Sequence, residues 1–337
     1  MADRTNATSQ RPASPAVLRP EQFLQHAHFE DCPPTDAAAP FVERVWSVTW
    51  ELPPGVTYVS SVVPHPCLDL TVERGDGSRS DRSGPGVWLT GVWTRRFDVT
   101  LAGSGGAVGL KLHPGAFTAL TGVAASDLTD QVVRAAPYLA LPPGLAELPL
   151  SAHASREALC AVVASGVDVV SVGDVSGVSA VSGVSAVSGV DEVSGVSGVS
   201  GVDGVTGVDG AADEDYALAR VLAQAATDPS ITRVDQLADI AHLSVRALQR
   251  LTRRYIGVSP KWLIMRARVH DALEALHAAA ADPSSAEPLD DLAARLGWFD
   301  QSHFTRDFRS IVGQSPAAYR DQLGLPPTAR TTDPPTP

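Results

Sequence analysis

The densest cluster of chemically capable side chains is GWFDQSHFTRDF, residues 297–308, where Asp300, Ser302 and His303 fall within four positions. An acid, a hydroxyl and an imidazole are the parts of a hydrolytic triad, and an imidazole beside an acid can begin a metal site. The spacing disfavours both. The periodicity predicts a helix over 300–312, and successive helical residues do not face each other, so Ser302 and His303 make a poor nucleophile and base pair. His65 and His113 each sit in a His-Pro step without an acidic or histidine partner at ligand spacing, which favours turn-positioning or pocket-lining roles over a metal. Cys32, Cys67 and Cys160 are odd in number and far apart, so they read as reduced thiols. The sequence contains no GxSxG elbow, HExxH, P-loop or CxxC pair. No catalytic residue, metal or cofactor is expected.

A different chemistry is better represented. Residues 244–255, SVRALQRLTRRY, carry four arginines and no acid, the kind of stripe that a phosphate backbone attracts. The whole chain is acidic at −12, but residues 231–320 hold twelve Lys/Arg against ten Asp/Glu, which leaves that segment at +2 and the remainder at −14. On a helix, Arg246, Gln249, Arg250 and Arg253 share one face, opposite Leu248, Leu251 and Tyr255. Arginine can bond guanine O6 and N7 in bidentate fashion, and glutamine can do the same with adenine N6 and N7.

Such a face needs a scaffold, and the sequence supplies it twice. A shift of 56 residues lays Arg250 on Arg306, Ile256 on Val312, Gly257 on Gly313 and Ser259-Pro260 on Ser315-Pro316. Upstream of the turn the offset is 55, laying Leu237-Ala238 on Leu292-Ala293, so the second turn is one residue longer. Helices are predicted over 213–229, 233–241, 244–256, 259–279, 288–296, 300–312 and 315–323. Ser244 and Asp300 are the natural N-caps of the two second helices, and the pairs Leu243/Leu248 and Phe299/Phe304 have the spacing of a hydrophobic staple. Gly257 and Gly313 suit left-handed helix ends, after which Ser-Pro starts the next helix. Two helix-turn-helix units joined by a long helix could each place a reading helix in the major groove, about one DNA turn or roughly 34 Å apart.

LADIAHLSVRALQRLTRRYIGVSPKWL and DLAARLGWFDQSHFTRDFRSIVGQSPAAYR together resemble the AraC/XylS family of bacterial transcription factors across roughly residues 216–323. The resemblance implies base-edge contacts from Arg246, Gln249 and Arg250 in the first unit and from Gln301, Ser302, His303 and Arg306 in the second. Arg253, Arg254, Lys261 and Thr305 are placed for phosphates. One departure is Thr252, where the family usually carries an aromatic core residue, as the second unit does with Phe308.

The remainder divides by composition. Residues 1–40 are rich in Pro, Ala, Ser and Thr and are expected to form a disordered arm. Residues 41–164 open with FVERVWSVTWEL, which sets Trp46, Val48 and Trp50 on one face at period two. Further β-branched runs follow, predicting an antiparallel β-rich domain to about residue 125 and helical segments near 127–163. Segments VVPHPCLDLTVE, GVWTRRFDV and KLHPGAF resemble an uncharacterised β-rich domain found ahead of this reader. That resemblance implies an effector-binding or dimerising role, often in a cupin-like barrel, with Arg95 and Arg96 available to an anionic effector or simply to the surface. From Val172 to Gly210 valine recurs at every third position, a period of neither strand nor helix, so 165–213 is read as a low-complexity linker. Residues 326–337 form a Pro-rich tail.

The fold class expected is multidomain α+β: an N-terminal antiparallel β-rich, cupin-like domain, a low-complexity linker, and a C-terminal all-α domain over 214–325 with two helix-turn-helix units. The function expected is a cytoplasmic, sequence-specific transcription regulator of double-stranded DNA. A small-molecule effector, a second copy of the chain and RNA polymerase are the partners considered. No run approaches 18 apolar residues, so no membrane is expected as a partner. The alternatives weighed are a sensor or DNA-modifying enzyme whose β-domain carries catalytic or metal chemistry, and an interaction protein built around the Val-Ser-Gly tract.

Overall fold

The computed structural model describes residues 17–75, 78–79, 82–164 and 210–325. The β-domain contains β1 (His28–Cys32), β2 (Val42–Glu51), β3 (Thr57–Val62), β4 (Asp69–Gly75), β5 (Ser78–Arg79), β6 (Arg82–Ser83), β7 (Gly86–Thr90), β8 (Phe97–Ala102), β9 (Ser104–Leu112) and β10 (Val132–Arg134). They form two antiparallel sheets, ordered β1-β2-β9-β4-β7-β10 and β3-β8-β5-β6. Period-two patterning explains how both faces of the larger sheet are covered. Trp46, Val48 and Trp50 on β2 turn toward the smaller sheet, as their spacing predicts. Val45 and Ser47 turn to the opposite side, where Ser47 Oγ accepts from the Ala152 N–H at the start of a covering helix, α3 (Ala152–Ala164).

Two expectations about this half need correction. The arm predicted to be disordered through residue 40 is folded from Val17 onward: Val17 bridges to Val62, α1 spans Pro20–Leu24, and β1 pairs along β2. Phe23 and Leu18 are buried, and that burial fixes a segment whose Pro and Ala content suggested none. Residues 127–163 are less helical than predicted. After α2 (Ala116–Thr121) comes a 3-10 turn at Ala125–Leu128, then β10 and a second 3-10 turn at Leu145–Glu147, and only α3 is an α-helix of length. β10 lacks the length for a periodic signal, and its pairing with β7 is what makes it a strand. Residues 1–16, almost all of the Val-Ser-Gly tract and the Pro-rich tail lie outside the described residues.

The C-terminal half is helical, and its elements fall within a few residues of their expected bounds: α4 (Gly210–Ala225), α5 (Val234–Ile240), α6 (Val245–Tyr255), α7 (Pro260–Ala281), α8 (Leu289–Arg295), α9 (Gln301–Val312) and α10 (Pro316–Gln322). It is not a detached reader. One apolar cluster runs from Val45, Leu70 and Leu110 of the sheet through Phe117 and Tyr216 to Leu248, Trp262 and Phe308. Polar ties reinforce it: Tyr216 Oη donates to Pro40 O at 2.6 Å, Thr129 Oγ1 to Gly257 O at 2.8 Å, and Trp262 Nε1 to Thr94 O at 2.9 Å. Arg96 N donates to Ile311 O at 2.7 Å and its guanidinium to Val312 O at 3.2 Å. Arg96, considered above for an anionic effector, therefore caps the carboxyl end of α9, where a cation meets the helix dipole favourably.

Candidate nucleic-acid interface

The internal duplication is visible in the hydrogen bonds of the two turns. Between α5 and α6, His242 N donates to Asp239 O and Leu243 N to Ala238 O; between α8 and α9, Gly297 N donates to Ala294 O and Trp298 N to Ala293 O. Each second bond is the first displaced by 55 positions. The turn demands a left-handed residue, which Gly297 supplies at φ 80° and His242 at φ 50°.

Both reading helices start as their N-caps require. Ser244 Oγ accepts from Ala247 N at 3.2 Å and Asp300 Oδ1 from His303 N at 2.7 Å. The connecting helix α7 and the last helix α10 are capped in the same way by Ser259 and Ser315. Asp300 thus has a structural task, which removes the acid from the apparent Asp-Ser-His cluster. His303 Nε2 lies 3.3 Å from Asp307 Oδ2, and that carboxylate also accepts from Trp298 Nε1 at 2.9 Å. The imidazole is held along its own helix and has no link to Ser302.

The staple in the second unit is not the one expected. Trp298 occupies the place of Leu243, is 4% exposed and lies 4.7 Å from the Phe304 ring, with the Arg268 guanidinium of α7 stacked over its indole at 4.1 Å. Phe299 is the inserted residue of the longer turn, and it is 94% exposed. The one-residue offset between the copies was the signal that could have shown this.

Arg246, Gln249, Arg250 and Arg253 are exposed on α6, and Gln301, Ser302, Arg306 and Arg309 on α9. Leu248, Leu251 and Tyr255, with Phe304, Phe308 and Ile311, are buried on the opposite sides. Among the described residues, Arg246, Arg250, Arg253 and Arg306 enter no ion pair. Lys261 is exposed at the first turn of α7, and Thr305 is half-buried. Arg254 leans to the β-domain, donating to Gly122 O at 3.4 Å. Thr252, the departure from the aromatic pattern, is fully buried and donates to Gln249 O at 3.4 Å. Beyond its own unit, α6 is also packed by α4 and the 125–128 turn.

The 22 residues of α7 give it a length of about 33 Å, comparable to one turn of B-DNA at roughly 34 Å. It joins the units, and Arg268 Nε donates to Leu296 O at 2.7 Å, tying the helix to the second turn. The geometry is that of two exposed, acid-poor, Arg/Gln-bearing helix faces held by one strut.

Comparison with known proteins agrees with this local pattern. Residues 237–322 match a family model described as a helix-turn-helix domain, and residues 30–134 match a domain of unknown function. An uncharacterized HTH-type transcriptional regulator of Haemophilus influenzae is 27% identical over 109 residues, 32% of this chain and 34% of the relative. The chain thus spans about a third of the length of that curated relative. Among solved structures, the C-terminal domain of AraT, a response regulator from Geobacillus stearothermophilus, is 22% identical with a TM-score of 0.27, covering 35% of this chain and 90% of that one. Unsaturated fatty acid-bound ToxT from Vibrio cholerae is 11% identical with a TM-score of 0.34, covering 85% of this chain and 98% of that one. Structural similarity at this level speaks to neither ligand nor partner.

Proposed function

From an AraC-type helix-turn-helix domain carried behind a β-domain of unknown function, we propose that the chain is a sequence-specific transcription regulator that reads two major-groove segments of one DNA face. The observation that carries this reading is the pair of N-capped helices whose outward faces hold glutamine and the arginines Arg246, Arg250, Arg253 and Arg306, which enter no ion pair among the described residues. Arg246, Gln249 and Arg250 of α6, and Gln301, Ser302, His303 and Arg306 of α9, are the base-edge set. Arg253, Arg254, Lys261 and Thr305 position the backbone. Phosphate contacts set affinity and register, while the base contacts set sequence preference.

The β-domain is read as the regulatory half, through a small effector or through a second copy of the chain. What supports this is the docking described above: each helix-turn-helix unit and α7 contact β-domain backbone, which gives a change within the sheets a route to both readers. Binding-site selection from random DNA with the full-length chain tests the first part of the reading. Arg250→Ala and Arg306→Ala should each weaken the selected site by about 1–3 kcal/mol and relax preference at one position. Arg253→Ala should weaken all sequences alike and reduce the salt slope by about one. Unchanged site affinity in both the Arg250 and the Arg306 variants would defeat it. Paired half-sites, together with a dimer in sedimentation, would support the second copy.

A further inference from the structure

Between its two sheets the β-domain contains a cleft of about 200 Å³, walled by Trp46, Val48 and Trp50 of β2, by Trp93 and Phe97, and by His65. An apolar cavity of about 150 Å³ is enough to take up benzene, so this one has room for a single substituted aromatic ring. Three indoles line it. Trp46 Nε1 donates to Asp69 Oδ1 and Trp50 Nε1 to Ala102 O, both at 3.0 Å, whereas the buried Trp93 Nε1 has no acceptor among the described residues.

His65 contributes a second such donor. Arg266 Nη2 of α7 lies 2.6 Å from His65 Nδ1, and its Nε donates to Pro64 O at 2.9 Å. Guanidinium groups only donate, so Nδ1 is the acceptor. Burial first, then the positive charges of Lys111 and Arg266, hold the His65 pKa well below the usual imidazole range. The ring is therefore neutral and carries its proton on Nε2, a buried atom without a partner among the described residues. Two buried N–H groups without acceptors in one aromatic cleft describe the missing half of a binding site, because buried donors are almost always paired. The cations nearby are already answered: Arg44 and Lys111 by Glu43, and Arg74 by the carbonyls of Ala146 and Leu148.

We propose that this cleft binds a compact, one-ring aromatic compound bearing a carbonyl or carboxylate oxygen, which accepts from Trp93 Nε1–H and His65 Nε2–H. The assignment deepens the effector reading above and rests on it for its regulatory meaning, but not for binding itself. The test is calorimetric titration of the full-length chain with benzamide, benzoate and toluene, with the Trp93 indole N–H followed by ¹H–¹⁵N NMR. Benzamide or benzoate should bind at least about tenfold more tightly than toluene, the equivalent of one hydrogen bond's discrimination. The Trp93 N–H resonance should move with the oxygen-bearing probe and not with toluene. Trp93→Phe, which keeps a ring in place, should abolish most of that preference while leaving toluene unchanged. Failure of both oxygen-bearing probes to bind the folded chain, toluene binding equally well, or a preference untouched by Trp93→Phe would each overturn the assignment. Affinity for the selected DNA site, measured with and without probe, separates the two readings. Probe binding without change at the DNA sinks regulation and leaves the cleft, and intact DNA binding without probe binding does the reverse.

Discussion

At the scale of single residues, the most informative position is Phe299, because the spacing made it a staple and the fold made it a surface. Trp298 holds the staple place, 4% exposed, and Phe299 stands 94% exposed one residue later, at the entrance to a reading helix. Removing a buried aromatic costs about 3–5 kcal/mol, while truncating an exposed side chain changes stability by less than about 0.5 kcal/mol. Trp298→Ala should therefore cause a large drop in the urea midpoint, and Phe299→Ala almost none. A loss of about 1 kcal/mol or more in Phe299→Ala would restore the staple reading. The same contrast shows which site residues were legible from sequence. Arg246, Gln249, Arg250, Gln301 and Arg306 announce themselves by side-chain type on a face whose period is local. The N–H groups of Trp93 and His65 that lack an acceptor among the described residues could not be read, because which acceptors reach them is decided by distant segments of the chain.

At the scale of elements, the helices of the C-terminal half were readable to within a few residues, since caps and turns are set by residues three or four apart. Ser244, Asp300, Ser259 and Ser315 each accept the N–H that their position predicts. Strands such as β1 and β10 were missed because a short strand exists only through its partner. The turn between α5 and α6 exposes a compromise within the duplication, since it places His242 in a left-handed conformation where the second copy has glycine. A side chain in that region costs about 1–2 kcal/mol, of which glycine's greater freedom in the unfolded chain returns roughly 0.5–1 kcal/mol. His242→Gly is expected to raise stability modestly, by up to about 1 kcal/mol, with the DNA-reading face unaltered. Thermal unfolding of the variant checks it, and a lowered melting temperature would mean that the histidine ring makes a compensating contact.

At the scale of the whole molecule, the decisive feature is that α7 serves two structures at once. One side ties the reading units together through Arg268, and another enters the β-domain through Trp262 and Arg266. That junction encloses two imidazoles, His65 and His270, with ring centroids 5.1 Å apart. Burial and then Arg266 push His270 down to about 3, opposed only by a hydrogen bond with the Pro64 backbone, and Lys111 adds to the lowering from β9. An unfolded histidine titrates near 6.5, so below that pH the unfolded chain takes up a proton that the folded junction refuses. Stability contributed by the neutral ring is therefore whole above about pH 6.5 and declines as pH falls toward about 3, at up to roughly 1.4 kcal/mol per pH unit for each such histidine. Between pH 7.5 and 5.5, before most carboxylates protonate, His270→Gln should lose about 1 kcal/mol less stability than the parent chain in urea titrations. An equal loss in both proteins would show that the folded ring titrates as an unfolded histidine does and that acid acts elsewhere. A smaller loss would place the acid sensitivity at the joint between the β-domain and the strut that aligns the two readers.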